Sequence, residues 1–562
     1  MPTPPVYDLQ PIHLPRLAGK PFGLFVRLLE SRVLGPPLAR KMLADLGIPR
    51  FRGLEVDEPP TFQPLWPAAG GETVTAAPAA LPAAAGEGIA GFRLPAVADY
   101  AAAYGAGRAT PEEVAERALA AIAQSDRADP PLRAFLSLAP AQTMADARAS
   151  TARWRARQPL GPLDGVPLAV KDELDLAGQP TRVGTRFLGA SPATEDAAAV
   201  ARWRAAGGVV LGKTNMHEIG IGVTGFNRHH GTPRNPFAPR HYTGGSSSGS
   251  AAAVAAGLCP LALAADAGGS IRIPAGLCGV VGLKPTYGRV SSVGAAPLAW
   301  SLDHYGPIAG SVRDAALGYA LLAGVDPRDP ATRRQPRVTL DGLEEPHLDG
   351  LRLGVFSPWF DDADPEVVRV CRGLVDQLVA RDARVAEVEL PGLGAAALAH
   401  LVLVSGEMTT AMEVHDHEHR RDFGLDVRAN LALARSFTAR DYIKAQRVRT
   451  RTMATFLRTL DTVDVVLTPT TAVTAPAIRS DVLPDGESDL TTLLALMRFA
   501  FPANLTGLPA ITFPAGYAAG LPVGMQAIGR PWGEQVLLRL ARAAEPLVPR
   551  RRPEVCFNLL GD

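Results

Sequence analysis

Apolar positions recur along this chain with two periods, and segments of the two kinds alternate. After Thr110-Pro-Glu-Glu113, a capping box with proline at the first helical position, Val114, Ala118, Leu119 and Ile122 fall on one face of a predicted helix. A second predicted helix near 195–206 runs into Val209-Val-Leu-Gly212, which reads as a short strand. The apolar run Val166-Pro-Leu-Ala-Val170 reads as a buried strand, and the alternation continues to Val463-Asp-Val-Val-Leu-Thr468. Such layering predicts an α/β fold with a covered sheet. No internal repeat of 20–50 residues stands out.

The N-terminal region follows another pattern. Residues 1–67 are rich in proline and arginine, with amphipathic helices predicted near 21–34 and 37–46. Residues 68–91, dominated by Ala, Gly and Pro, read as a linker. The expected organisation is therefore an extension over 1–92 and a main domain over 93–562. Phe22, Leu24, Phe25, Val26, Leu28 and Leu29 make the first helix apolar over a wider arc than a surface helix needs. It covers something: the main domain, a ligand, or a membrane surface.

Composition narrows the setting. A chain of 562 residues with 47% hydrophobic residues can bury a large core, and a net charge of +1 gives no reason to expect nucleic acid. The four cysteines (259, 278, 371, 556) are scattered, without a Cys-x-x-Cys pair or disulfide-scaffold density. No run of about 18 uninterrupted apolar residues occurs, and the N-terminus lacks the apolar core of a signal peptide. A cytoplasmic protein is the expectation, with peripheral membrane contact and a homodimer left open. Only six of the 57 basic residues are lysines, and Lys171, Lys213 and Lys284 fall inside the candidate core. A buried lysine has to be neutralised or paired. Lys213 and Lys284 follow glycine-containing turns and read as structural.

Lys171 stands apart because of what lies downstream. Pro-Leu-Ala-Val-Lys-Asp (167–172) is followed 75 residues after its lysine by Ser246, in Tyr-Thr-Gly-Gly-Ser-Ser-Ser-Gly-Ser (242–250). Ser270, in Asp-Ala-Gly-Gly-Ser-Ile-Arg (266–272), is 24 residues further on. A serine hydroxyl is a poor nucleophile until a base takes its proton, and lysine serves as that base only when neutral. The apolar run before Lys171 would supply the burial that disfavours its charge. Gly268 and Gly269 leave the backbone free to turn N–H groups towards one point, as an oxyanion hole requires. A base, a relay, a nucleophile and an anion cradle are the parts of an acyl-transfer hydrolase that uses no histidine.

Other readings of the same residues compete. A Ser/Gly cluster is often a flexible loop. Gly245-Ser-Ser-Ser-Gly249 also fits the Gly-x-Ser-x-Gly elbow with Ser247 as nucleophile, but that pattern wants a strand immediately before it, and a proline-rich loop (233–239) is expected there. A phosphate loop would end in Gly-Lys-Ser/Thr, and this one ends Gly-Ser-Ala. His415, His417 and His419 alternate with acids, yet the pattern is not His-Glu-x-x-His and no cysteine joins it, so a solvated, charge-laced helix is expected. His217, His229, His230 and His241 show no ligand spacing and read as pocket wall or surface. Neither a metal nor a cofactor is expected.

With these motifs the chain resembles the amidase signature family of serine hydrolases. The likeness continues through Cys278-Gly-Val-Val-Gly-Leu-Lys-Pro-Thr-Tyr-Gly-Arg289 to Asn504-Leu-Thr-Gly-Leu-Pro-Ala510 and covers most of 93–562. Asn215-Met-His-Glu-Ile-Gly-Ile-Gly-Val-Thr-Gly225 and Gly231-Thr-Pro-Arg-Asn-Pro236 are similar to the plant-type fatty acid amide hydrolases within it. Phe22-Gly-Leu-Phe-Val-Arg-Leu-Leu-Glu30 and Pro60-Thr-Phe-Gln-Pro-Leu-Trp66 resemble an N-terminal extension that generic amidases lack. One departure is Ala-Ala-Asp-Ala at 264–267, where relatives carry Gly-Thr-Asp.

The resemblance implies a large mixed, twisted sheet covered by helices on both faces. It implies Lys171 as base, Ser246 as a bridge held by a non-proline cis peptide, and Ser270 as nucleophile. Backbone N–H groups of Ala267, Gly268, Gly269 and Ser270 would form the oxyanion hole. Met216, Thr224, Phe25 and Leu28 would contact a small-molecule acyl amide. The activity implied is hydrolysis of fatty acid amides; a generic small-amide amidase and an amidotransferase component that passes ammonia from glutamine are the rival expectations.

Overall fold

Eleven strands among the described residues form one mixed sheet: β1 (Phe135–Leu138), β2 (Pro167–Lys171), β3 (Val209–Thr214), β4 (Leu261–Asp266), β5 (Val281–Lys284), β6 (His304–Ala309), β7 (Arg352–Val355), β8 (Arg384–Glu387), β9 (Val465–Pro469), β10 (Ala510–Ala518) and β11 (Leu521–Gly529). This computed structural model describes residues 7–10, 15–67, 89–345 and 347–561. The strand order is β8-β7-β9-β11-β10-β5-β6-β4-β2-β3-β1. The β4, β2 and β3 strands run parallel, as do β8, β7 and β9, while antiparallel pairings link these two groups. Every residue of β2 is buried, which is why it reads as an uninterrupted apolar run rather than an alternation.

Two hydrophobic cores flank the sheet. Val465 and Leu467 of β9 face one and Val466 the other, as the period of two along a strand demands. The first core is capped by helices that include Pro111–Asp126, whose expected capping box is formed by Thr110 and Glu113. The second is built on the helices Leu393–His419, Leu425–Ala434 and Ala439–Thr462. The expected helix near 195–206 runs over Ala198–Ala205. The short strand expected at 209–212 extends to Thr214.

The N-terminal helices form as expected, α1 over Gly19–Leu29 and α2 over Gly35–Asp45. They do not stand apart. Ile48, Phe51 and Trp66 belong to the second core, the Trp66 indole donates to Thr506 O at 3.0 Å, and Arg52 pairs with Asp441 at 2.8 Å. The expected linker lies at 68–88 outside the described residues.

Four further helices position the site: α3 (Ser248–Ala255), α4 (Arg272–Leu277), α5 (Leu393–His419) and α6 (Leu425–Ala434); α7 (Ala439–Thr462) packs along α5. Helix α5 is long and apolar enough to cross a membrane, yet Ala396, Ala399, Leu403 and Met408 pack into the second core.

Candidate active site

The end of β2, the third strand from one edge of the sheet, places Lys171 between β4 and β3. Its amine is buried and donates to Ser246 Oγ at 2.9 Å and to Ala265 O at 3.4 Å. The structure corrects the expectation of a purely apolar setting. Glu173 Oε2 stands 2.7 Å from the same nitrogen, with only 3% of its side chain exposed. Lys213 and Lys284 are placed as structural groups. Lys213 pairs with Asp172 at 3.0 Å, and Lys284 donates to Pro285 O at 3.0 Å.

Ser246 sits where a short hairpin (Arg234–Asn235 with Ala238–Tyr242) leads into α3. The Gly245–Ser246 peptide is cis, as the resemblance implied. The His217 N–H donates to Ser246 O at 3.0 Å and holds the loop. Contrary to expectation, a strand does precede Gly245, but it belongs to that isolated hairpin and not to the main sheet. Ser247 is no nucleophile elbow: its buried hydroxyl donates to Ala265 O at 3.1 Å.

Helix α3 lies so close to the end of β3 that Gly249 has room for no side chain. A Cβ there would stand 2.2 Å from Ala134 O and 2.6 Å from Asn215 N. Gly249→Ala is expected to destabilise the fold by roughly 1–3 kcal/mol through this overpacking. Calorimetric melting checks it, and an unchanged melting temperature contradicts it.

Ser270 follows β4 in the turn that enters α4, and the Ser247 N–H donates to Ser270 O at 3.3 Å. No hydrogen bond joins the Ser246 and Ser270 hydroxyls in this structure, so only the first link of the expected relay is closed. A hydroxyl rotates freely, and such bonds often tighten only around a bound substrate.

Asp266 organises the turn. Its Oδ1 accepts the Gly269 N–H at 2.6 Å, and its Oδ2 accepts the Ile271 N–H at 3.0 Å and Arg272 Nε at 3.0 Å. Burial would push this carboxyl up, but the Arg272 charge and hydrogen bonds outweigh it and hold the carboxyl well below its usual range. The expected oxyanion hole is corrected at one position: the Gly269 N–H is spent on Asp266. Those of Ala267, Gly268 and Ser270 have no protein acceptor among the described residues. Gly269 has φ 120°, and a Cβ there would come within 2.6 Å of Ile273 Cδ1, so the turn needs glycine twice over.

Sequence reasoning missed three supports of this turn. Asn504 Nδ2 donates to Asp266 O at 2.7 Å, and Arg272 Nη1 donates to Gln526 Oε1 at 2.6 Å. His400 on α5 donates from Nε2 to Ala267 O at 2.8 Å. Burial pushes the His400 imidazole down to about 4, so it is neutral at pH 7 and carries its proton on Nε2.

The expected substrate contacts are placed less uniformly. Met216 is fully buried in the second core. Thr224 is half-buried, and its hydroxyl accepts the Phe226 N–H at 3.3 Å. Phe25 is half-buried and Leu28 is exposed on α1, whose buried face of Phe22, Val26 and Leu29 packs on α6. Helix α6 is tied to the serine loop through His217–Asp426 (2.9 Å) and through the Gly424 N–H, which donates to Glu218 Oε2 at 2.9 Å. His229 pairs with Glu218 at 2.7 Å and His230 Nε2 lies 2.9 Å from Thr185 O. His415, His417 and His419 lie on the last turns of α5, where His419 pairs with Asp422.

A cavity of about 760 Å³ lies between α5, α6 and α7, walled by Trp300, Val402, Met412, Leu431, Phe437 and Tyr442. Glu407 also faces it, and the next residue, Met408, reaches back towards the serines. A Cβ on Gly220 would be 3.7 Å from Met408 Cε and 3.5 Å from Ser246 Oγ.

Comparison with known proteins agrees with this geometry. Residues 116–538 match the family model described as Amidase. The chain is 39% identical to a fatty acid amide hydrolase of Medicago truncatula, over 99% of this chain and 96% of that protein. It is 36% identical to a component of the glutamyl-tRNA(Gln) amidotransferase of Chloroflexus aggregans, over 81% of this chain and 96% of that protein. The structure of the peptide amidase from Stenotrophomonas maltophilia superposes with a TM-score of 0.70 at 32% identity, covering 82% of this chain and 98% of that one.

Proposed function

The chain belongs to the amidase family, and from that premise we propose that it is a serine hydrolase cleaving long-chain fatty acid amides through an acyl-enzyme on Ser270. Lys171 draws a proton from Ser246, and Ser246 draws one from Ser270, whose oxygen then attacks the substrate carbonyl. The tetrahedral oxyanion is received by the N–H groups of Ala267, Gly268 and Ser270. The proton returns through Ser246 to the departing amine, and water hydrolyses the ester that remains. The observation that carries this reading is the buried Lys171–Ser246 hydrogen bond at 2.9 Å, beside a nucleophile turn with three N–H groups left over.

Two observations support a lipidic acyl group. Similarity to the Medicago truncatula enzyme runs through the N-terminal helices, whereas the amidotransferase component matches a smaller share of the chain. The cavity next to Met408 in sequence, at Glu407, has the volume of a drug-sized ligand site and apolar groups (Trp300, Val402, Met412, Leu431, Phe437) in its wall. The same comparison weighs against the amidotransferase reading. In a panel of acyl amides from C2 to C18 with a fixed amine, kcat/KM is expected to rise by roughly 10-fold or more towards long chains, at about 0.8 kcal/mol per buried methylene before saturation. A short-chain optimum sinks the lipid reading and leaves a generic amidase.

A further inference from the structure

Glu173 is the one charged group against the base that the reaction as described leaves without a part. The strand ends at Lys171, and a turn closed by the Leu174 N–H on Lys171 O brings Glu173 back to the Lys171 amine while Asp172 pairs with Lys213. An amine nitrogen has three positions besides its bond to Cε. Here two of them reach Ala265 O (3.4 Å) and Ser246 Oγ (2.9 Å) as hydrogen bonds, and the Glu173 carboxylate forms an ion pair with the same nitrogen at 2.7 Å. The Ala296 N–H donates to Glu173 O at 2.8 Å and fixes the acid in turn.

The groups packed around Glu173 decide where charge sits. Asp303 is buried with only the Ala299 N–H on its carboxylate (2.9 Å), and burial, followed by repulsion from Glu173, pushes its carboxyl well above the usual range. The Tyr305 phenol is raised by burial and by both acids, and stays neutral. Glu407, beyond Asp303, is occupied by the Ser301 N–H and by Tyr442. Of these acids the one paired with the Lys171 amine is Glu173.

We propose that Glu173 is a positioning residue for the reaction: its carboxylate orients the Lys171 amine towards Ser246 and sets the pH range in which that amine serves as base. This rests on the reading of Lys171 as base given above. A carboxylate at 2.7 Å favours a proton on its neighbour, whereas burial alone opposes one. The charge therefore places the acid limb of activity at higher pH than burial alone would.

The test is the pH dependence of kcat/KM on one amide substrate. Glu173→Gln keeps the shape and removes the charge, so its acid limb is expected to move down by roughly one to three pH units. Glu173→Met, apolar and of similar length, is expected to move it the same way and serves should the Gln variant not fold. Glu173→Asp keeps the charge and is expected to retain the wild-type midpoint within about half a unit. Asp303→Asn, at the neighbouring acid that makes no ion pair with the amine, is expected to move the midpoint less than Glu173→Gln does. An acid limb that stays put or rises in both Glu173→Gln and Glu173→Met overturns the proposal, as does an equal shift in Asp303→Asn. Lys171→Met separates the two levels: if it stays active, the base assignment itself fails. If it is dead while Glu173→Gln keeps the wild-type midpoint, only the role of Glu173 fails.

Discussion

Ser270→Ala is expected to fold normally and to lose amide turnover by roughly 10⁴-fold or more in kcat, which corresponds to at least about 5 kcal/mol of barrier. The size follows from covalent catalysis. Without the Ser270 oxygen no acyl-enzyme forms, and the amine at Lys171 has nothing to activate except water. The residual rate should come from the anion cradle alone, since the N–H groups of Ala267 and Gly268 do not depend on the hydroxyl. Ser246→Ala removes the relay and leaves nucleophile and cradle in place, so a slow but measurable rate is expected there. The decisive readout is trapping of an acyl-enzyme by mass spectrometry alongside steady-state rates. Purified Ser270→Ala protein that hydrolyses amides at the wild-type rate would falsify the assignment.

The two serines were legible in the sequence because each lies in a short glycine-flanked motif at a set distance from Lys171. The strands β2, β3 and β9 and the helices α1 and α2 were legible because their apolar patterns are local. What surrounds Lys171 was partly legible. Glu173, two residues on, was in view as an acid beside the base, but the turn over 171–174 that returns it to the amine carries no apolar period. The Asp266-x-x-Gly269 spacing likewise hinted that an acidic side chain would reach a backbone N–H three residues on and so remove it from the oxyanion hole. The strand Ala238–Tyr242 was hidden by Pro239, which a two-residue hairpin partner tolerates at its edge. His400, Asn504 and Gln526 lie far along the chain from the turn they support, and no local period announces such partners.

That long-range assembly makes Arg272 the residue whose loss should cost the fold most. Its side chain is fully buried and donates to Asp266, to Asn504 Oδ1 at 2.5 Å, to Gln526 Oε1 at 2.6 Å and to Ala500 O at 2.9 Å. It is also the cation that Asp266 relies on. Lys284 is nearby, but burial and then repulsion by Arg272 hold its ammonium form well below the usual range, and its charge acts on Asp266 less than that of Arg272. Arg272→Met is thus expected to strand a buried carboxylate and to destabilise the protein by about 3–5 kcal/mol at pH 7. The sign of the pH dependence follows from Asp266. In the wild type its carboxyl is depressed, so its contribution is present above the unfolded value of about 3.9 and is lost as pH falls through the folded one. In the variant burial acts unopposed by Arg272, the carboxyl takes a proton more readily than in the unfolded chain, and the deficit shrinks as pH falls from 7 towards 4. Denaturant unfolding at a series of pH values checks both points. The double variant Arg272→Met/Asp266→Asn, which leaves no charge to strand, is expected to recover part of the stability. A deficit that is flat with pH, together with a double variant no more stable than Arg272→Met alone, would mean that Arg272 acts by packing and not as the partner of Asp266.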